Sequence, residues 1–297
     1  MLTITPKDIS VSKLHHYLLG AVGPRPICFA STIDENGNPN LAPFSFFNVF
    51  SANPPIAVFS PSRSGRTGEH KDTYKNIKQV PEVVINIVNY AIVYQMSLAS
   101  SPYPHGVDEF VKAGFTKEKS EVVKPFRVKE SPVQMECKVI EVKELGDGGA
   151  AGNLIICEIV KIHISENILD ANQMIDQQKI DLVARMGGNW YCRADKNSMF
   201  EIEKPLTTIG IGVDSIPQDI RNSTVLSGNN LGQLGSVEQL PNETDVNEYK
   251  LLELSDLFLE YENNKKELEN QLHSKAKALL KEGKTNEAWM ILLSFNH

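Results

Sequence analysis

The chain has no long apolar run, no Cys-x-x-Cys pair, no basic excess and no Gly-x-Gly-x-x-Gly between a strand and a helix. Each absence removes a class of protein. No stretch approaches 18 uninterrupted apolar residues, and apolar runs such as the one in Glu82–Val88 have strand length, so no membrane span is expected. Thirty Lys and Arg against 37 Asp and Glu give a formal charge of −7, which argues against a general grip on nucleic acid. A bound anion must therefore be held locally. The four cysteines, Cys28, Cys137, Cys157 and Cys192, are widely spaced and indicate neither a zinc site nor a disulfide framework. All four read as buried, inert thiols, with a redox role for Cys192 as the alternative. The start, Met1-Leu-Thr-Ile-Thr-Pro-Lys-Asp, lacks the basic-then-apolar pattern of a secretory leader, so a cytoplasmic location is expected. No His/Asp pair and no metal-ligand cluster stands out, so neither a catalytic side chain nor a metal is expected.

What is present is an ordinary globular composition, 41% apolar and 23% charged over 297 residues, enough for one large domain or a medium domain with an appendage. Strand patterns dominate the first half. Arg25–Ile33 runs into the turn cluster Asp34-Glu-Asn-Gly-Asn38, with Leu41–Phe50 as the return arm of a hairpin. Ile56–Ser60 and Glu82–Val88 read as further strands, separated by a polar segment and a short helix over Thr73–Gln79. Gln134–Lys143 and Asn153–Ile164 form a second hairpin, and its glycine-rich tip, Gly146–Gly152, reads as flexible. Regular strand–helix alternation is missing, so a closed or half-closed antiparallel barrel is expected. Residues 1–200 form this domain. Residues 201–242 read as a loop-rich connector packing on it, and 243–297 as a helical extension. In the extension Leu251, Leu254, Phe258 and Tyr261, then Leu268, Leu272, Leu279 and Leu280, recur at helical spacing, and Gly283 reads as a C-cap.

Two segments could carry chemistry. Pro61-Ser-Arg-Ser-Gly-Arg-Thr-Gly-Glu-His-Lys-Asp-Thr73 links a strand to a helix and holds four hydroxyls, two glycines, two arginines and a lysine. Glycines turn backbone N–H groups inward, hydroxyls donate, cations neutralise a phosphate, and the helix N-terminus favours negative charge. The same composition also suits a solvated loop with Asp72 or Thr73 as an ordinary N-cap. In Asn40-Leu-Ala-Pro-Phe-Ser-Phe-Phe-Asn48, Pro43 opens a strand against which a flat aromatic ligand could lie and meet free backbone groups. The alternative there is a barrel core rich in phenylalanine.

Taken in order, Arg25-Pro-Ile-Cys-Phe-Ala-Ser-Thr32, Asp34–Asn38, Asn40–Asn48, Ala52-Asn-Pro-Pro55 and Lys71-Asp-Thr-Tyr-Lys-Asn76 resemble the flavin reductase-like family. So do Val83–Asn86, Val107-Asp-Glu-Phe110, Glu136-Cys137 and Arg185-Met-Gly-Gly-Asn-Trp-Tyr191. The resemblance implies an FMN-binding split β-barrel that forms a homodimer with flavin sites at the subunit interface. FAD is the less favoured cofactor. It implies NADH or NADPH as donor, stacking over the flavin without a Rossmann domain, and a small-molecule electron acceptor or partner oxygenase downstream. Asn40, Ala42 and Ser45 match the segment bordering the isoalloxazine ring. Ser60, Arg66, Lys71 and Thr73 match the phosphate side, and Asn86 the ribityl chain. Arg185 and Tyr191 match a stretch near the flavin or the nicotinamide approach, and His105, beside Gly106 and Asp108, falls in a loop that could close over the flavin and border that approach. The helical extension departs from the minimal family pattern, and a flavin-binding electron-transfer protein whose tail docks a partner is the alternative function.

Overall fold

The computed structural model describes residues 1–202 and 204–296. The strands are β1 (Cys28–Ile33), β2 (Pro39–Phe44), β3 (Phe47–Ala52), β4 (Pro55–Phe59), β5 (Glu82–Ile87), β6 (Lys117–Glu118), β7 (Arg127–Val128), β8 (Val133–Glu144), β9 (Asn153–Ile164), β10 (Val183–Arg185) and β11 (Tyr191–Arg193). The helices are α1 (Val11–Ala21), α2 (Asp72–Gln79), α3 (Val93–Ala99), α4 (Glu109–Ala113), α5 (Gln218–Arg221), α6 (Gly228–Leu234), α7 (Glu243–Glu253), α8 (Ser255–Glu260), α9 (Lys265–Lys281) and α10 (Thr285–Leu293).

Seven strands form one antiparallel sheet in the order β2-β1-β5-β8-β9-β4-β3. Its two edges are consecutive in the chain, joined by Ser45-Phe46 alone. Six flat inter-strand gaps would separate them by about 29 Å. The three Cα steps from Phe44 to Phe47 reach about 11 Å at most. The sheet must therefore roll until β2 and β3 approach, and no pairing joins them across the seam. The single return arm expected over Leu41–Phe50 is thus two strands on opposite edges, broken at Ser45-Phe46. Pro39 and Pro43 are tolerated in β2 because an edge strand has one side free of ladder bonds.

Cys28, Ala30, Phe59, Val83, Ile85, Met135, Cys137 and Cys157 fill the inside of the roll. Phe29, Leu41, Met96, Phe110, Phe115 and Val128 form a second core beneath α3 and α4. β1 is buried on both faces, which explains why its sequence does not alternate. Burial pushes the Cys28 thiol well up, and a neighbouring Cys157 thiol does the same to Cys137, so both stay protonated and inert. Cys192 on β11 is only partly covered, contrary to the expectation of four buried thiols.

The chain divides into two compact units, residues 1–200 and residues from 201 onward. Ile216, Ile220, Leu226 and Leu234, from the segment expected to connect and pack on the barrel, lie instead in one core with Leu254, Leu268, Leu272, Leu280 and Trp289. The Trp289 indole donates to the Leu234 carbonyl at 3.0 Å. Residues 216–234 therefore share a core with the C-terminal helices. Leu251 is exposed although it fits the helical repeat, whereas Leu254 is buried. Gly283, at φ +76°, follows α9 in the left-handed conformation that an L side chain resists.

Candidate functional site

In the first unit a cavity of about 1020 Å³ opens along the seam of the rolled sheet. One wall is β2 and the seam: Asn40, Ala42, Pro43, Phe44, Ser45 and Phe46. Ser60 and the loop that follows β4, with Arg66, Lys71, Asp72 and Thr73, also line the cavity. Seven residues singled out from the sequence, Asn40, Ala42, Ser45, Ser60, Arg66, Lys71 and Thr73, line this one cavity.

The loop keeps its shape through its own polar groups. Ser64 N–H donates to the Glu69 carbonyl and Gly68 N–H to the Ser64 carbonyl, both at 2.8 Å, and the turn holds Gly68 at φ +73°. Lys71 is the extended N-cap of α2, so the free amides of the first helical turn lie beside it. Lys71 and Arg66 are exposed and make no ion pair among the described residues. Thr73, 1% exposed, accepts from Asn40 Nδ2 at 3.0 Å. With that lone pair filled, its hydroxyl proton is left to donate. Asp72 also faces the cavity. Partial burial pushes its pKa up, but hydrogen bonds from Lys75 and His105 outweigh this and hold the carboxylate below its usual range.

Also in the lining, Ser45 Oγ accepts from Arg25 Nε at 3.4 Å. The buried Arg25 guanidinium also donates to the carbonyls of Leu19 (2.7 Å), Val22 and Met186 (2.8 Å) and meets no carboxylate among the described residues. Burial, then the nearby Arg185, lowers its pKa. Glu109, on α4, accepts the outward amide of Leu41 at 3.0 Å, and burial pushes its carboxyl pKa up. That amide is thus occupied and Pro43 has none. Of the free backbone groups expected on β2, the amides at these two positions are not available.

Four expected site residues lie elsewhere. Asn86 is fully buried, its amide donating to the Phe29 carbonyl and accepting from Val128 N–H, both at 2.9 Å; it tethers β5 to β1 and β7 and does not line the cavity. His105 pairs with Asp72 at 3.2 Å and borders an adjoining hollow with Asp34 and Asn76. Arg185 stacks over Tyr191 at 4.6 Å on the β10–β11 hairpin, outside the cavity lining.

Sequence reasoning missed the α1 residues Ser12, His15 and Leu19, together with Tyr103, Glu109, Gly149 and Ala150. Ser10, which accepts from Lys13 N–H as an N-cap, was the available signal for α1. Gly149 is no flexible tip. A Cβ there would lie 3.2 Å from the Gly65 carbonyl, and Arg63 N–H donates to Ala151 at 2.8 Å, so the hairpin tip is pinned against the loop.

The model of the family described as "Flavin reductase like domain" matches residues 21–180, more than half of the chain. The chain belongs to that family. An uncharacterised protein of Aquifex aeolicus is 38% identical over 189 residues, covering 63% of this chain and 93% of that protein. Among solved structures, nitrilotriacetate monooxygenase component B of Bacillus cereus is similar at 29% identity and TM-score 0.63, covering 68% of this chain and 98% of that one. The 2-nitrobenzoate 2-nitroreductase NbaA of Pseudomonas fluorescens is similar at 25% identity and TM-score 0.62, covering 71% and 100%.

Proposed function

We propose that this chain is a flavoprotein oxidoreductase of the split-barrel type, an NAD(P)H-dependent flavin reductase that holds FMN in the seam cavity. The observation that carries the reading is the convergence of Asn40, Ala42, Ser45, Ser60, Arg66, Lys71 and Thr73 on one cavity that Phe44 and Phe46 also line. The residues suit the cofactor. Unpaired Arg66 and Lys71 and the free Thr73 proton match a phosphomonoester. Ala42, Pro43, Phe44 and Phe46 offer a surface for a flat ring system. The volume, at the upper end of ordinary ligand sites, leaves room for a second reactant.

A bound flavin supplies hydride acceptance and electron release. The chain's own part is to neutralise the phosphate, orient the ring along β2 and hold a nicotinamide against it, which brings the reactants together without a catalytic side chain. Electrons then pass to free flavin, another small molecule or a partner oxygenase. NADH or NADPH added anaerobically to the flavin-loaded protein should bleach its visible absorption; no bleaching with either donor removes the reading. A homodimer belongs to this proposal, supported by the exposed Phe46, Val49 and Phe50 beside the seam. Light scattering at the monomer mass of 33.0 kDa would remove that part.

One observation favours a second reading, a flavin-binding electron-transfer protein that docks its partner through the C-terminal unit. Residues 1–200 hold 21 acidic and 21 basic side chains, whereas residues 201–297 hold 16 acidic and 9 basic, so the whole net charge resides in the second unit. That reading expects a yellow protein reduced by a redox protein carrying a basic face and scarcely by NAD(P)H.

A further inference from the structure

The three cations of the loop after β4 are not equivalent. Arg66 and Lys71 stand unpaired among the described residues, whereas Arg63 is bound. Its Nη2 meets Glu144 Oε2 at 3.1 Å, its Nη1 donates to the Gly68 carbonyl at 3.4 Å, and its Nε–H is buried without an acceptor among the described residues. Glu144, the last residue of β8, accepts the Tyr74 hydroxyl on its other oxygen at 2.5 Å, and the His70 ring stacks on Tyr74 with centroids 3.7 Å apart. The bond from Tyr74, and after it that from Arg63, outweighs partial desolvation and holds Glu144 below the usual carboxylate range, so it is charged at neutral pH. Burial, then the same bond, pushes Tyr74 up to about 12, so the phenol keeps its proton. A carboxylate from outside the loop thus cancels one of its three positive charges.

We propose that Glu144 is a specificity-determining residue of the anion loop: by holding Arg63, it leaves Arg66 and Lys71 to face the ligand and matches the site to a phosphomonoester rather than a pyrophosphate. The proposal deepens the reading of this loop as a phosphate site and rests on it. A phosphomonoester carries about −1.5 to −2 charges at pH 7, which two cations balance. A pyrophosphate carries more, and a third free cation would favour it. The Arg63 side chain already lines the cavity, so loss of the Glu144 carboxylate would leave its charge uncompensated beside the ligand.

The test is calorimetric titration of the full chain with inorganic phosphate and with pyrophosphate. In Glu144→Gln the ratio of pyrophosphate to phosphate affinity should rise roughly tenfold, the size of one charge-assisted contact. In the double variant Glu144→Gln/Arg63→Ala the ratio should return to its original value. An unchanged ratio in the single variant, or a shift that persists in the double one, overturns the proposal. Arg63→Gln gives a second measure: it leaves Glu144 uncompensated beside the site, so phosphate affinity should fall, and unaltered phosphate affinity overturns the proposal as well. Because both probes are inorganic, a shifted ratio in a protein that NAD(P)H never bleaches removes the redox reading and leaves this one standing. Absence of any anion binding by the unmodified chain overturns both.

Discussion

Asn40 Nδ2 donates to Thr73 Oγ1 at 3.0 Å and to Thr32 Oγ1 at 3.2 Å, joining the edge strand β2 to the first turn of α2 across 33 residues of sequence. The bond fixes which way the Thr73 hydroxyl can point. Thr73→Val and Asn40→Ala should each weaken FMN by about fivefold, the worth of one neutral hydrogen bond. The double variant should lose less than the product of the two, because both act through one hydroxyl. Fluorescence titration with FMN measures all three, and strictly multiplicative losses would show that the two residues act separately.

Lys71→Ala should weaken FMN roughly ten- to a hundredfold, the worth of a charge-assisted contact of about 1.5–3 kcal/mol. Riboflavin, which lacks the phosphate, should bind nearly as before. Equal losses for both ligands would place the phosphate elsewhere.

Asn86→Ala should act on stability, since it removes a bond to the Phe29 carbonyl and strands the Val128 amide in the core. A cost of about 2 kcal/mol corresponds to a fall of about 4–8 °C in the melting temperature of a domain of this size. A variant of unchanged Tm with lost flavin affinity would return Asn86 to the site.

The second unit should lose stability as pH falls. Ser223 Oγ accepts the Val225 and Leu226 amides, so its own proton goes to Nδ1 of the buried His273 at 2.7 Å, which requires a neutral imidazole. Burial lowers the His273 pKa; Glu269 and Asp219 oppose the shift and Lys266 adds to it. The unfolded chain therefore takes up the proton first. The contribution is complete above the ordinary histidine pKa of about 6.5 and declines as pH falls through the depressed folded-state value. Chemical denaturation at pH 7.5 and 5 should show the difference, and His273→Asn should reduce it.

Much of the fold was legible because its signals are local. The strands β1, β4, β5, β8 and β9 declare themselves by β-branched runs between turn residues, and α9 by leucines on one helical face. The polar, cationic character of the loop between β4 and α2 was legible for the same reason, since its hydroxyls, glycines and cations stand together in the chain. The tethering bonds of Asn86 were not legible, because an amide facing a ligand and an amide tethering three strands have the same sequence signature. Arg185 and Tyr191 were assigned through a resemblance and His105 through its place in a loop, and in the single chain they lie outside the cavity lining.

Composition and periodicity alone determined that this is a strand-rich domain followed by helices, with a polar, cationic loop between β4 and α2. Only the tertiary structure decided that β2 and β3 end up on opposite edges of one rolled sheet, because that depends on which distant strands pair. Only it decided that Arg63 is neutralised while Arg66 and Lys71 are not. Glu144 is 81 residues from Arg63 in the chain, and no local pattern reports a partner brought in by folding.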